Sequence, residues 1–189
     1  MTSVRDAAFD LFRARGMTTI FGNPGSTELP MLASFPADFR YVLALHEGVA
    51  VGMADGFAQA SGCPAHVNLH TAPGVGNGMG AIFNAQANHS PVLITAGQQA
   101  RSLMTLQANL TNRDATRVPE SLVKWSFEPP RAQDVPLALA RALHLAALPP
   151  RGPVFLSFPF DDSAANANYA HAPHHALRTV TRRAAPARE

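Results

Sequence analysis

Apolar residues recur at helical spacing near the start of the chain, at Val4, Ala7, Ala8, Leu11 and Phe12, and Gly16 supplies a stop. Thr18 to Phe21 is a β-branched and aromatic run that predicts a first strand. The turn Gly22-Asn23-Pro24-Gly25-Ser26 follows. Ser26 is placed to cap a short helix from Thr27 to about Ser34, whose dipole suits Glu28 in the first turn. Tyr41 to Leu45 predicts a second strand. Glu47 to Ala60 predicts a helix rich in small residues, ending near Ser61-Gly62. Ala65 to Leu69 predicts a third strand, which runs into a glycine-rich stretch from His70 to Gly78. A helix is expected over roughly Val75 to Ala87. Pro91 to Ala96 is apolar throughout, as in a strand with helices on both faces. Gly97 to Pro130 has weak periodicity and predicts loop mixed with short elements. Gln133 to Ala147 predicts a helix, and Val154 to Phe158 a final buried strand.

Strands alternating with helices imply an α/β fold of three layers, αβα, around a central, mainly parallel sheet with right-handed crossovers. One domain is expected over residues 1–162. From Ser163 onward Ala, Asn, His, Pro and Arg occur without periodicity, so 163–189 is expected to be a linker or the start of a further domain.

Composition narrows the function classes. Hydrophobic residues make up 47% and charged residues 15% of the 189, as in a compact globular protein rather than a disordered one. A net charge of +2 gives no strong field toward nucleic acid or membrane. The pI of about 9.2 owes much to Arg178, Arg182, Arg183 and Arg188, expected on a solvated tail. Cys63 is the single cysteine, so no internal disulfide forms and the cytoplasm is the expected compartment. Charged residues between Arg5 and Arg15 exclude a signal peptide, and no apolar run is long enough to span a bilayer.

Candidate chemistry gathers at one edge of the expected sheet. Glu47 lies between a strand's carboxyl end and a helix's first turn, where open α/β sheets bind ligands. The Gly22–Gly25 turn reaches the same edge. So does the stretch containing Gly74, Gly76, Gly78 and Gly80, where missing side chains allow backbone to approach a ligand. That stretch is no P-loop, because it lacks Gly-Lys-Ser/Thr, and it fits G-x-G-x-x-G poorly. Taken alone, the stretch is better explained by close helix–sheet packing. Glu47 also has a structural reading, an acid facing the helix dipole. Its neighbours favour a site. Ala50, Ala54 and Ala58 alternate with Gly48, Gly52 and Gly56, so the helix can approach a neighbour closely and leave the carboxylate poorly solvated. That suits proton exchange with a heterocyclic nitrogen.

Glu47-x-x-Ala50-x-x-x-Ala54-Asp55-Gly56-Phe57-Ala58 resembles the pyrimidine-binding domain of thiamine diphosphate enzymes. Gly22 to Ser26 and Thr71-Ala72-Pro73-Gly74-Val75-Gly76-Asn77 resemble that family's other two site turns. Leu122 to Ser126 and Gly152 to Ser157 extend the likeness over roughly residues 3 to 162. Ser26 together with His70 resembles the benzoylformate decarboxylase branch.

The resemblance implies thiamine diphosphate and Mg2+ as cofactors and a 2-keto acid as small-molecule substrate. Glu47 would hydrogen-bond the pyrimidine nitrogen and favour the tautomer that removes the thiazolium C2 proton. Ser26 would bind the substrate carboxylate, and His70 would exchange protons with covalent intermediates. Asn23, Pro24, Gly25, Gly74 and Asn77 would line the cofactor site as wall and backbone contacts. His46 is read as structural. The family's diphosphate and metal ligands, a Gly-Asp-Gly motif followed by Asn, find no match in this sequence. They are therefore expected outside this chain, on a diphosphate-binding domain of a partner subunit in a homo-oligomer. Two other readings stay open. One is a further 2-keto acid decarboxylase or an acetolactate synthase-like carboligase. The other is a non-catalytic binding or assembly module.

Overall fold

The computed structural model describes residues 2–167; the arginine-bearing end of the chain lies outside them. Six helices, α1 Val4–Ala14, α2 Leu29–Leu32, α3 Glu47–Ser61, α4 Thr71–Ala87, α5 Arg101–Met104 and α6 Val135–Ala147, surround one sheet. Its strands are β1 Thr19–Gly22, β2 Arg40–Leu43, β3 Ala65–Leu69, β4 Val92–Gln98, β5 Ser126–Phe127 and β6 Val154–Pro159. Their order is β2-β1-β3-β4-β6-β5, and every ladder is parallel. The α/β reading and the parallel sheet hold.

The pleat explains why the first half of β4 reads as a continuous apolar run. In β4, Leu93 joins a core with Phe9 and Phe12 of α1 and Leu139 and Leu143 of α6. Its neighbour Ile94 joins a second core with Ala50, Ala54 and Ala58 of α3 and Ile82 of α4. Alternate residues thus serve opposite helical layers. Leu139 and Leu143 are fully buried, so truncating either to alanine is expected to cost about 2–5 kcal/mol.

Local signals set most helix ends. Ser3 caps α1 by accepting a hydrogen bond from the Asp6 N–H. Gly62, at φ 70°, closes α3 in the left-handed conformation that favours glycine. His46 caps the start of α3, its Nδ1 accepting from the Gly48 N–H at 3.0 Å. Its structural assignment is a specific one.

Two expectations need correction. The short helix spans only Leu29–Leu32, and its cap residue is Glu28, with no side-chain capping bond. Ser26 instead lies exposed in the preceding turn. Helix α4 begins at Thr71, four residues before the expected start, so the glycine-rich stretch is helix rather than loop. Pro73 sits in its first turn, where a missing N–H costs little. Glycine lowers helix propensity by about 1 kcal/mol per residue, and close packing offsets part of that cost. A Cβ on Gly78 would touch Leu69 at 3.4 Å and Val51 at 3.5 Å. Gly52 and Gly56 of α3 face open space instead, and Ala50, Val51, Ala54 and Ala58 of that helix pack inward.

Between β4 and α6 the weak periodicity matches short pieces: α5, a 3-10 turn at Glu120–Leu122, and β5. Residues 163–167 return to the chain start, where Ser3 bridges Asn166 and the Val4 N–H donates to the Ala165 carbonyl.

Candidate active site

The connections after β1, β2 and β3 meet at the carboxyl edge of the sheet. Gly22 ends β1 under a tight constraint: a Cβ there would overlap the Tyr41 hydroxyl and the Asn68 carbonyl. The chain then turns through Asn23, Pro24 and Gly25. Glu47 opens α3 just after β2. His70 follows β3 and is the cap residue of α4, with no side-chain capping bond of its own.

Glu47 is 6% exposed. Its Oε1 accepts from Asn23 Nδ2 at 3.2 Å and its Oε2 from Asn77 Nδ2 at 3.1 Å. Each carboxylate oxygen has a second lone pair left for another donor. Gly74 opens the wall beside it, since a Cβ there would stand 3.2 Å from Oε1 and 3.4 Å from the His70 Cβ. Asn23 and Asn77, expected as wall contacts, are the side-chain donors that orient the glutamate. Gly25 lies against the His70 ring so closely that a Cβ would overlap it. Pro24 is half-buried in the same turn.

One residue of this site was missed. Glu28 reads in sequence as a first-turn acid facing a dipole. In the fold it is 2% exposed, accepts from three groups and meets a fourth, the His70 ring. Oε2 takes the Gly25 N–H at 2.7 Å and faces His70 Nδ1 at 2.8 Å. Oε1 takes the Gly97 N–H at 2.8 Å and the Thr27 hydroxyl at 2.7 Å. Gly97 is 69 residues downstream, so local pattern held no signal for this role.

A polar row lies deeper in the sheet. His66 Nε2 and Asn68 Nδ2 both reach the Thr95 hydroxyl, at 2.9 and 3.1 Å. Burial lowers the His66 pKa to about 3, so this imidazole is neutral. Burial, and then the charge of Glu28, push the Tyr41 phenol up. Among the described residues no group of three or more His, Cys, Asp or Glu side chains is placed to hold a metal ion. No helix among them is long and apolar enough to cross a membrane.

The sequence model of the thiamine pyrophosphate enzymes, N-terminal TPP binding domain, matches residues 2–117. The chain belongs to that family. This N-terminal domain is 58% identical over 187 residues to a benzoylformate decarboxylase of Pseudomonas aeruginosa, covering 99% of this chain and 35% of that protein. It superposes on the thiamine diphosphate-dependent 4-hydroxybenzoylformate decarboxylase of Rhodococcus jostii with a TM-score of 0.91 and 49% identity. That match covers 95% of this chain and 34% of the other. An acetolactate synthase large subunit of Haemophilus influenzae is 30% identical over 161 residues, 84% of this chain and 28% of that one. The chain thus spans about a third of the length of the first two relatives.

The site fits the aminopyrimidine half of such a cofactor. It offers a buried carboxylate with spare lone pairs, fixed by two amides, beside a glycine that leaves room at its oxygen.

Proposed function

We propose that this chain is the pyrimidine-binding part of a decarboxylase that converts an aromatic 2-keto acid, benzoylformate, to benzaldehyde and carbon dioxide. The observation that carries the reading is the 58% identity to a benzoylformate decarboxylase, against 30% to an acetolactate synthase. The acetolactate synthase-like alternative is correspondingly weaker.

When bound, thiamine diphosphate supplies a nucleophilic carbon and an electron sink for loss of carbon dioxide. The residues of this chain do the rest of the local work. Glu47 holds and exchanges a proton at a pyrimidine nitrogen, and Asn23 and Asn77 keep its carboxylate turned to that task. Gly74 and Gly25 leave space at Glu47 and His70 that any side chain would fill. Pro24 completes the turn between Asn23 and Gly25. The exposed Ser26 hydroxyl donates to the substrate carboxylate. His70, partly open to solvent at 22% side-chain exposure, takes and returns protons at the reacting group. The diphosphate and Mg2+ belong to a domain of a partner subunit in a cytoplasmic homo-oligomer.

The test is an assay of the full-length enzyme with thiamine diphosphate, Mg2+ and benzoylformate. Benzaldehyde and carbon dioxide in equal amounts are expected. Acetolactate from pyruvate, without benzaldehyde, would move the assignment to the carboligases. Neither product would leave a binding or assembly module.

A further inference from the structure

Glu28 does more than tie backbone together. Its four contacts fix a direction for every proton in the cluster. A carboxylate only accepts hydrogen bonds. Gly25 and Gly97 present backbone N–H groups to its two oxygens, at 2.7 and 2.8 Å. The Thr27 hydroxyl donates to Oε1 at 2.7 Å, which leaves its own lone pairs for another donor. His70 Nδ1 lies 2.8 Å from Glu28 Oε2 and 3.2 Å from Thr27 Oγ1. Both neighbours are acceptors on the sides they turn to the ring. The hydrogen must therefore sit on Nδ1. Gly25, pressed against the ring, blocks sideways movement on one face.

We infer that Glu28 is a positioning residue: it holds His70 with Nδ1 protonated and directed into the protein, so that Nε2 is the nitrogen offered to the reaction. The hydrogen bond on one ring nitrogen sets the state of the other. Glu28 itself touches neither substrate nor cofactor in this role. The inference rests on the decarboxylase reading for its catalytic consequence but not for the tautomer.

Two measurements on the full-length enzyme with thiamine diphosphate and Mg2+ test it. The first is the tautomer of His70 by NMR on 15N-histidine-labelled protein, with the signal assigned by its loss in His70→Ala. The wild type is expected to carry the proton on Nδ1. A proton on Nε2 alone would overturn the inference. This readout needs no Glu28 variant and no activity, so it decides the matter even if substitution unfolds the enzyme. It also decides if benzoylformate proves not to be a substrate, a result that would count against the decarboxylase reading alone.

The second is a double-mutant cycle on benzoylformate decarboxylation. Glu28→Gln is expected to lower kcat about 10²-fold, the low end of a general acid–base contribution, with KM within about threefold. In a His70→Ala background the same change is expected to do almost nothing, because the group it acts through is gone. An equal loss of kcat in both backgrounds would show that Glu28 acts on the fold and not through His70.

Discussion

Two glutamates, 19 residues apart in sequence, stand buried at one sheet edge and are held in opposite ways. Glu28 is gripped by backbone: the Gly25 and Gly97 N–H groups cannot turn away from it. Glu47 is gripped by side chains, the amides of Asn23 and Asn77. An amide on a rotatable side chain can follow its partner or turn to solvent. A backbone N–H inside a packed turn cannot. The fixed carboxylate suits a supporting role, and the adjustable one suits a group that must exchange a proton with a ligand. Burial alone, 2% against 6%, does not separate the two; the donors do.

The contrast is tested most strongly at Glu47. In the full-length enzyme Glu47→Gln keeps the shape and loses the exchangeable carboxyl proton. Deuterium exchange at the cofactor's C2 is expected to slow by roughly 10²–10⁴, the usual scale of an acid–base group. Exchange at the normal rate would return Glu47 to a helix-start role.

Alanine at each position separates the two grips by stability. Glu28→Ala strands two backbone N–H groups at about 1–3 kcal/mol each, whereas Glu47→Ala frees amides that can reorient. Urea denaturation of the cofactor-free enzyme should therefore show the larger loss for Glu28→Ala. The reverse order would end the distinction drawn here.

Ser26, on the same turn as Glu28 but exposed, sharpens the comparison from the substrate side. Ser26→Ala is expected to leave stability unchanged and to weaken 2-keto acid use by roughly 1.5–3 kcal/mol, the worth of a hydrogen bond to a charged group. Steady-state kcat/KM measures it, and an unchanged value would remove Ser26 from the substrate site.

His66 gives the most gradual effect, spread over several pH units, and it concerns the sheet beneath the rim. Its folded pKa, about 3, lies below the ordinary value of 6.5. The unfolded chain therefore binds the extra proton as pH falls below 6.5, and folding stability falls with it. The loss approaches about 1.4 kcal/mol per pH unit down to about pH 3 and is absent above pH 6.5. His66→Gln should flatten that limb of the stability–pH curve; an unchanged slope would mean other groups set it.

Strands and helices were legible because their signals are local. Ala65 to Leu69 was found to the residue, since apolar residues alternating with His66 and Asn68 between Pro64 and His70 leave little choice. The expected start of α4 failed because glycine reads as turn, while the close packing that makes Gly78 useful in a helix involves Leu69 and Val51. Ser26 was taken for a cap on residue type alone. Glu47, His70, Asn23 and Asn77 could be named from the family pattern, but the amide grip on Glu47 needs coordinates. Glu28 stayed hidden because its partners come from two connections, at Gly25 and His70, and from strand β4, at Gly97.

The strand order has a consequence for how the protein comes into being. The last strand among the described residues, β6, is not at an edge; it lies between β4 and β5. Its partner helix α6 provides Leu139 and Leu143 to the core that covers Phe9 and Phe12. On the ribosome the rim residues from Asn23 to Gly97 therefore emerge before the last two of the six strands, β5 and β6, exist. Until β6 and α6 follow, β4 keeps an open edge and α1 an uncovered aromatic face, the kind of surface that draws partly made chains together. Nascent-chain aggregation, or a chaperone's hold, should thus peak for lengths between the end of β4 and the end of β6, and stop once that interior strand slots in.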